Sequence, residues 1–452
     1  MRKKKIRKKP GGKKNTRKST FYQKLAGFLK RRETVIIAVI FVTAVFFRMY
    51  NVTDLGLTHF DEGVYALYGE RLVESPGTFY EDTLRIAQFS PPLYPFCCGV
   101  SFTVLGVKDF AAIVPSIIAG ALTCLVLFLL GKSTDDLRTG MWAAVILIVN
   151  PFHVMYSRLA LTDVLYVFFF TAAVLAGIYA WKKNRWWLYM LPGFLAGLAM
   201  NTKYSGFLPL ALVFGYFIFA AILEIVERLI KHEQEGESWK SVFINRMKHL
   251  LPGMTASVIL FVLLYAHWYI NVDKKMGYDN LLEHHRGYGK SAAEAFAAFK
   301  NNPWEMLFYF RQWSFPALIL LPLGLIASIW KWKRSYIILY AWLAFYYIGL
   351  FFYERYTRLA LPLIPAICFF GGIFLSRAFL LLESKWKDGG KLLPKVEYIT
   401  AALVVVMGFI RLFPVLSMDT DHYRKANRSI RENYADKGVV IRDTLEIGRA
   451  HV

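Results

Sequence analysis

The chain has 452 residues, of which 56% are hydrophobic, 17% aromatic and only 19% charged. This excludes an ordinary soluble domain of that length, which carries more charge; long apolar runs between short charged clusters indicate a polytopic membrane protein. The net charge of +23 is concentrated at the N-terminus, where residues 1–32 hold 15 Lys or Arg and no acid, leaving +8 for the rest.

Residues 1–33 have no apolar face and are expected to form a disordered cytoplasmic tail that touches anionic lipid. Nucleic acid is not the expected partner, because the next segment enters the bilayer. No small-residue cleavage site follows. The cysteines (Cys97, Cys98, Cys124, Cys368) lack the spacing of a disulfide framework or a zinc site and are expected to be small apolar fillers.

Residues 34–416 form the expected transmembrane domain. By the usual length criterion about eleven apolar runs qualify as spans, starting near Thr34, Phe110, Met141, Val164, Trp186, Phe207, Leu250, Trp313, Ser335, Leu359 and Tyr398. The run Phe89–Val107 opens on Pro91 and Pro92 and is expected to lie in the interface. With the N-terminus inside, GKSTDDLR, KKNR, the loop 231–249, KWKR and ESKWKDGGKLLPK all fall inside, each with Lys or Arg beside a span end. Treating Phe89–Val107 as a span would reverse this.

The unusual polar clusters then share the outer face. They are the first loop, 51–109, with eight acids against three bases; YSRLALTD with Arg158 and Asp163; NTKYSG with Lys203; the long loop 271–312 with EHHRGYGK; and YERYTR. Asp61 and Glu62 are adjacent and so point in different directions. Alone, the pair fits either a general base for a hydroxyl acceptor or the cap of the following helix. Asp163 has the same two readings. Lys203, Arg355 and Arg358 are either snorkelling cations or phosphate ligands. His284, His285 and Arg286 are candidates for phosphate, or for a divalent metal with His59 or Glu62; metal is not favoured. A transporter or flippase of lipid-linked sugars is the alternative class. It would call for repeated halves and mid-membrane charges, which the pattern lacks.

The ordered set PPLYPF, DFAAIVPSIIAGALTCLVLFLLGK, NPFHVMYSRLALTDVLYVFF, NTKYSG and RYTRLALPLIPA, behind the Asp61–Glu62 pair, resembles the GT-C membrane glycosyltransferases. The resemblance covers roughly residues 35–414 and is to the protein O-mannosyltransferase and aminoarabinose-transferase-like group, glycosyltransferase family 39. It implies an all-α GT-C fold and an inverting transferase. Such an enzyme takes a sugar from a polyprenyl phosphate and passes it to a protein, lipid or glycan acceptor on the extracytoplasmic side of the plasma membrane, without a catalytic metal. It further implies Asp61 as the essential first-loop acid, Glu62 as its partner, Tyr65 near the sugar, Asp163 as the second-loop acid and Lys203 as a donor-phosphate ligand. Arg158 and Arg358 are the remaining basic candidates, and Val64 stands where some relatives carry a basic residue.

Residues 417–452 are expected to begin a small α/β outer domain, with a helix at Tyr423–Tyr434 and a strand at GVVIRDT. The closing EIGRAHV resembles translated adapter sequence, so a truncated gene product is expected.

Overall fold

A computed structural model describes residues 33–86, 90–230, 239–277, 279–281, 283, 289–304, 319–353, 357–385 and 393–418. Among them the chain is helical, and the only β pairing is an isolated antiparallel bridge between Gly289 and Tyr353. The segment expected to begin an outer α/β domain lies, beyond residue 418, outside the described residues.

Eight helices are long and apolar enough to cross a membrane: Glu33–Asp54, Asp109–Thr134, Thr162–Lys183, Tyr204–Glu227, Phe243–Met276, Arg334–Phe352, Thr357–Lys385 and Lys395–Leu416. Three further expected spans fall on shorter apolar helices, Leu137–Ile148, Trp186–Met200 and Ile319–Trp330. Thus all eleven runs carry helix among the described residues; Leu137–Ile148 and Trp186–Met200 lack the roughly 20 residues needed to cross alone, and the run expected from Trp313 is described from Ile319 onward. The interfacial expectation for Phe89–Val107 corresponds to a helix of 13 residues, Leu93–Leu105, also too short to span.

The elements used below are α1 (Glu33–Asp54), α2 (Phe60–Glu74), α3 (Phe79–Ile86), α4 (Leu93–Leu105), α5 (Asp109–Thr134), α6 (Leu137–Ile148), α7 (Pro151–Tyr156), α8 (Thr162–Lys183), α9 (Leu191–Met200), α10 (Leu208–Ile230), α11 (Trp239–Trp268), α12 (Ala292–Asn301), α13 (Ile319–Trp330), α14 (Ile337–Gly349), α15 (Ile364–Lys385) and α16 (Leu393–Leu416). The centre is built from α5, α6, α8 and α15; α9 extends it by packing on α8, and α11 packs in turn on α9. Lipid tails are as apolar as leucine, so close helix association needs small residues at the crossings. At the α5–α6 crossing, a Cβ on Gly131 would meet the Gly140 Cα at 2.5 Å, and one on Gly140 would meet the Phe128 carbonyl at 2.3 Å.

The helices separate two polar ends. α8 carries Asp163 in its first turn and Lys182 in its last, and its 22 residues span about 33 Å at about 1.5 Å per residue. At the far end the connections after α5 and α13 meet. The buried Asp135 carboxylate lies between Lys333 and Arg377, the latter at 2.6 Å. Arg138 reaches Glu383 at 2.8 Å and Glu397 at 2.8 Å, which pins α16 to α6 and α15. The opposite end holds the first-loop acids.

Candidate functional site

The site begins where α2 starts. His59 is the N-cap, and its Nδ1 accepts from the Asp61 N–H at 3.1 Å. Glu62, three residues on, completes a capping box by accepting from the His59 N–H at 2.9 Å. Asp61 is therefore not the helix cap. The same Glu62 oxygen accepts from the Thr58 N–H at 2.9 Å, and the other accepts from the Ala160 N–H at 2.6 Å. Glu62 has no exposed surface. Burial pushes its carboxyl above the usual range, and the backbone donors of His59, Ala160 and Thr58 pull it back. With both oxygens engaged, Glu62 ties the first outer loop to the turn before α8.

Asp61 projects the other way. Its Oδ2 accepts from Arg358 Nη1 at 2.7 Å, across 297 residues of sequence, and lies 3.7 Å from His59 Nδ1. The Asp61 and Arg358 side chains are 28% and 29% exposed, so the pair is open to an incoming group. Arg358 also lies within electrostatic reach of Asp163 and Tyr65. Half-buried Tyr65, one turn after Asp61, bonds the Thr162 hydroxyl and packs edge-on against Tyr94 at 5.6 Å. Burial first, then the Asp61 and Asp163 charges, raise its hydroxyl so that it stays protonated.

Asp163 does not cap α8 either. The N-cap position is Leu161, and the Asp163 side chain, 3% exposed, accepts from Lys203 Nζ at 2.7 Å. Lys203 is thus neither a free snorkelling cation nor unpaired. Asp61, Tyr65, Asp163, Lys203 and Arg358 form one cluster with two acid–base pairs.

Arg158, a substrate-binding candidate, does not join this cluster. It is 1% exposed and donates to the Tyr50 carbonyl and, at 3.3 Å, to the Leu416 carbonyl. It therefore closes the ends of α1 and α16, because a buried guanidinium must find oxygen acceptors. His284, His285 and Arg355 lie outside the described residues. Among those described, no group of three or more His, Cys, Asp or Glu is arranged to hold a metal ion.

The structure adds residues that the sequence did not single out. Tyr156 bonds Thr357 and feels Asp163 and Arg358. Tyr166 donates to the Ser205 carbonyl at 3.1 Å and bonds Tyr346. The long outer loop reaches the same end: Lys290 N–H donates to the Phe352 carbonyl at 2.8 Å beside the Gly289–Tyr353 bridge. Beneath the cluster Arg48, fully buried, donates to His153 Nδ1 at 2.8 Å, to Ser157 at 3.2 Å and to the Ala44 carbonyl at 2.9 Å. Arginine only donates, so His153 accepts through Nδ1 and is neutral; burial and the Arg48 charge hold it well below its ordinary range. The one available hint was an arginine inside an apolar run, in FFRMY.

Residues 90–233 match the family model described as dolichyl-phosphate-mannose-protein mannosyltransferase. Over 263 residues the chain is 22% identical to a putative mannosyltransferase, YkcB, of Bacillus subtilis; the match takes in 55% of this chain and spans 36% of the relative's length. The fold is shared with ArnT of Cupriavidus metallidurans bound to undecaprenyl phosphate, with a TM-score of 0.56 at 14% identity, covering 89% of this chain and 72% of that one. It is shared equally with the oligosaccharyltransferase AglB of Archaeoglobus fulgidus in complex with an inhibitory peptide and a dolichol-phosphate, with a TM-score of 0.56 at 14% identity, covering 92% and 60%.

Proposed function

We propose that this chain, a PMT-like protein of the GT-C membrane fold, is an inverting glycosyltransferase that moves a sugar from a polyprenyl-phosphate carrier to an acceptor hydroxyl on a protein, lipid or glycan. The observation that carries the reading is the pair of acid–base contacts, Asp61–Arg358 and Asp163–Lys203, gathered with Tyr65 at one end of the helices. The matching family and the Bacillus relative both carry mannosyltransferase names, which supports mannose as the sugar.

The chemistry needs two opposed charges. The acceptor oxygen attacks the anomeric carbon, and its proton passes to Asp61. The bond from that carbon to the phosphate oxygen breaks, and the lipid phosphate leaves with the bonding electrons. Lys203 and Arg358 are placed to stabilise the charge on the departing phosphate, and preorganised cations at a partly dry interface do this at little reorganisation cost. In the structure these cations pair with Asp163 and Asp61. A phosphate drawing Arg358 away would uncover Asp61 as the base. One displacement inverts the anomeric centre. The proposal assigns no cofactor and places the site on the extracytoplasmic side, supported by Lys and Arg beside the span ends at the opposite face.

The test supplies membranes containing the protein with labelled polyprenyl-phosphate-mannose or with the nucleotide sugar. Label should reach an acceptor from the lipid donor without nucleotide sugar, with inverted configuration. Transfer from the nucleotide sugar alone, or retained configuration, would overturn the reading.

A further inference from the structure

We propose that Asp273 is a positioning residue for the transfer site, holding through the Tyr204 hydroxyl the turn that aims Lys203 at Asp163. The proposal rests on the transferase reading of that cluster. α11 does not end cleanly: it runs on as a π-helical turn, Tyr269–Asp273, and then Lys274–Met276. Such turns are rare and occur frequently at functional sites. Asp273 is 1% exposed. One carboxylate oxygen accepts from the Tyr204 hydroxyl at 2.9 Å and the other from the Tyr265 hydroxyl. The buried Trp268 indole donates to the Tyr204 oxygen at 3.2 Å. An indole N–H can only donate, so the Tyr204 oxygen accepts there and directs its own proton to Asp273.

Among the described residues no cation pairs with Asp273. A buried carboxylate satisfied by two hydroxyls and the Trp268 indole, with no cation, is costly to keep, and an apolar side chain would fill the space without that cost. What the carboxylate adds is direction, because it fixes the Tyr204 ring. Tyr204 opens the 3₁₀ turn Tyr204–Phe207, and Lys203 precedes it with extended backbone. The rest of the turn is already fastened: Lys203 N–H donates to Ala199 at 2.9 Å, Gly206 N–H to Lys203 at 2.8 Å, and the Ser205 carbonyl takes the Tyr166 hydroxyl at 3.1 Å. Asp273, with Trp268, thus fixes the direction of the Tyr204 hydroxyl in the segment that presents the Lys203 ammonium.

The test combines kinetics with a readout independent of activity. Asp273→Ala and Tyr204→Phe should each raise the donor KM about tenfold with kcat changed less than about threefold, and should cost less than about twofold in a Lys203→Ala background. Reductive methylation followed by mass spectrometry should modify Lys203 faster in both variants than in the wild type, with exposed Lys274 as the internal reference. If Asp273→Ala does not accumulate, Asp273→Asn, which keeps the shape and one acceptor, gives the same readouts at smaller size. Equal losses with and without Lys203, or unchanged Lys203 methylation, would overturn the proposal. If the wild type transfers no sugar, the transferase reading fails by itself and methylation alone decides the role of Asp273.

Discussion

Replacing Asp61 by Asn removes one charge and almost nothing else. The amide oxygen still accepts from Arg358 Nη1, now at 2.7 Å from the carboxylate, and the α2 cap is untouched because His59 and Glu62 make it. The Asp61–Arg358 pair is 28% and 29% exposed, so its loss as an ion pair costs about 1 kcal/mol or less of stability. The loss of a positioned general base costs about 10²- to 10⁴-fold in rate, which is about 2.7–5.5 kcal/mol of barrier. Asp61→Asn should therefore keep its thermal midpoint within a degree or two (about 1 kcal/mol moves a domain of this size by little more) while transfer of label from polyprenyl-phosphate-mannose falls at least about 100-fold. The assay needs both readings on one membrane preparation. Transfer within about tenfold of wild type by a well-accumulated Asp61→Asn protein, where about 100-fold is required, would refute the assignment of Asp61 as base.

Glu62→Gln should show the reverse pattern, with a lowered thermal midpoint. Its amide NH₂ must oppose either the Ala160 N–H or the Thr58 and His59 N–H groups, at about 1–3 kcal/mol per unsatisfied donor; an unchanged midpoint would remove its bracing role. Arg158→Met should destabilise by about 2–4 kcal/mol by orphaning the Tyr50 and Leu416 carbonyls, with the donor KM of the surviving protein unchanged; a raised KM would return Arg158 to the substrate. Asp163→Asn and Lys203→Ala should be non-additive by about 0.5–3 kcal/mol in a double-mutant cycle of transfer rates. Gly69→Ala should cost about 1–3 kcal/mol in thermal unfolding, because its Cβ would sit 2.6 Å from the Cys98 Cβ where α2 crosses α4.

The apolar runs were legible because the bilayer demands length and composition, which are local properties. Asp61, Tyr65, Asp163, Lys203 and Arg358 could be gathered to one face because each lies at the end of such a run, and counting crossings orders the ends. What stayed hidden depends on which way a side chain turns after packing. Arg158 sits five residues before Asp163 yet points to the ends of α1 and α16. His59 looked like a possible ligand and turned out to be the helix cap. Asp273 stood at the start of the expected outer loop 271–312, and nothing local announces that a π-helical turn brings it to Tyr204. About eleven spans are expected from the sequence, and eight helices among the described residues meet the length criterion, α6 and the Trp186–Met200 helix being apolar but shorter.

Arg48 and Arg158 are buried among carbonyl oxygens and neutral side chains, and among the described residues neither has a carboxylate partner. Their charge is solvated but not cancelled. In surroundings this poor in water, a unit charge acts at long range and dissolved salt screens it weakly. Glu62 and Asp273 are likewise buried and held by neutral donors, so two buried arginines and two buried carboxylates stand at the end that holds Asp61 and Asp163. Changing either arginine to Met should make that end more negative, an effect that salt in the aqueous phase screens only weakly.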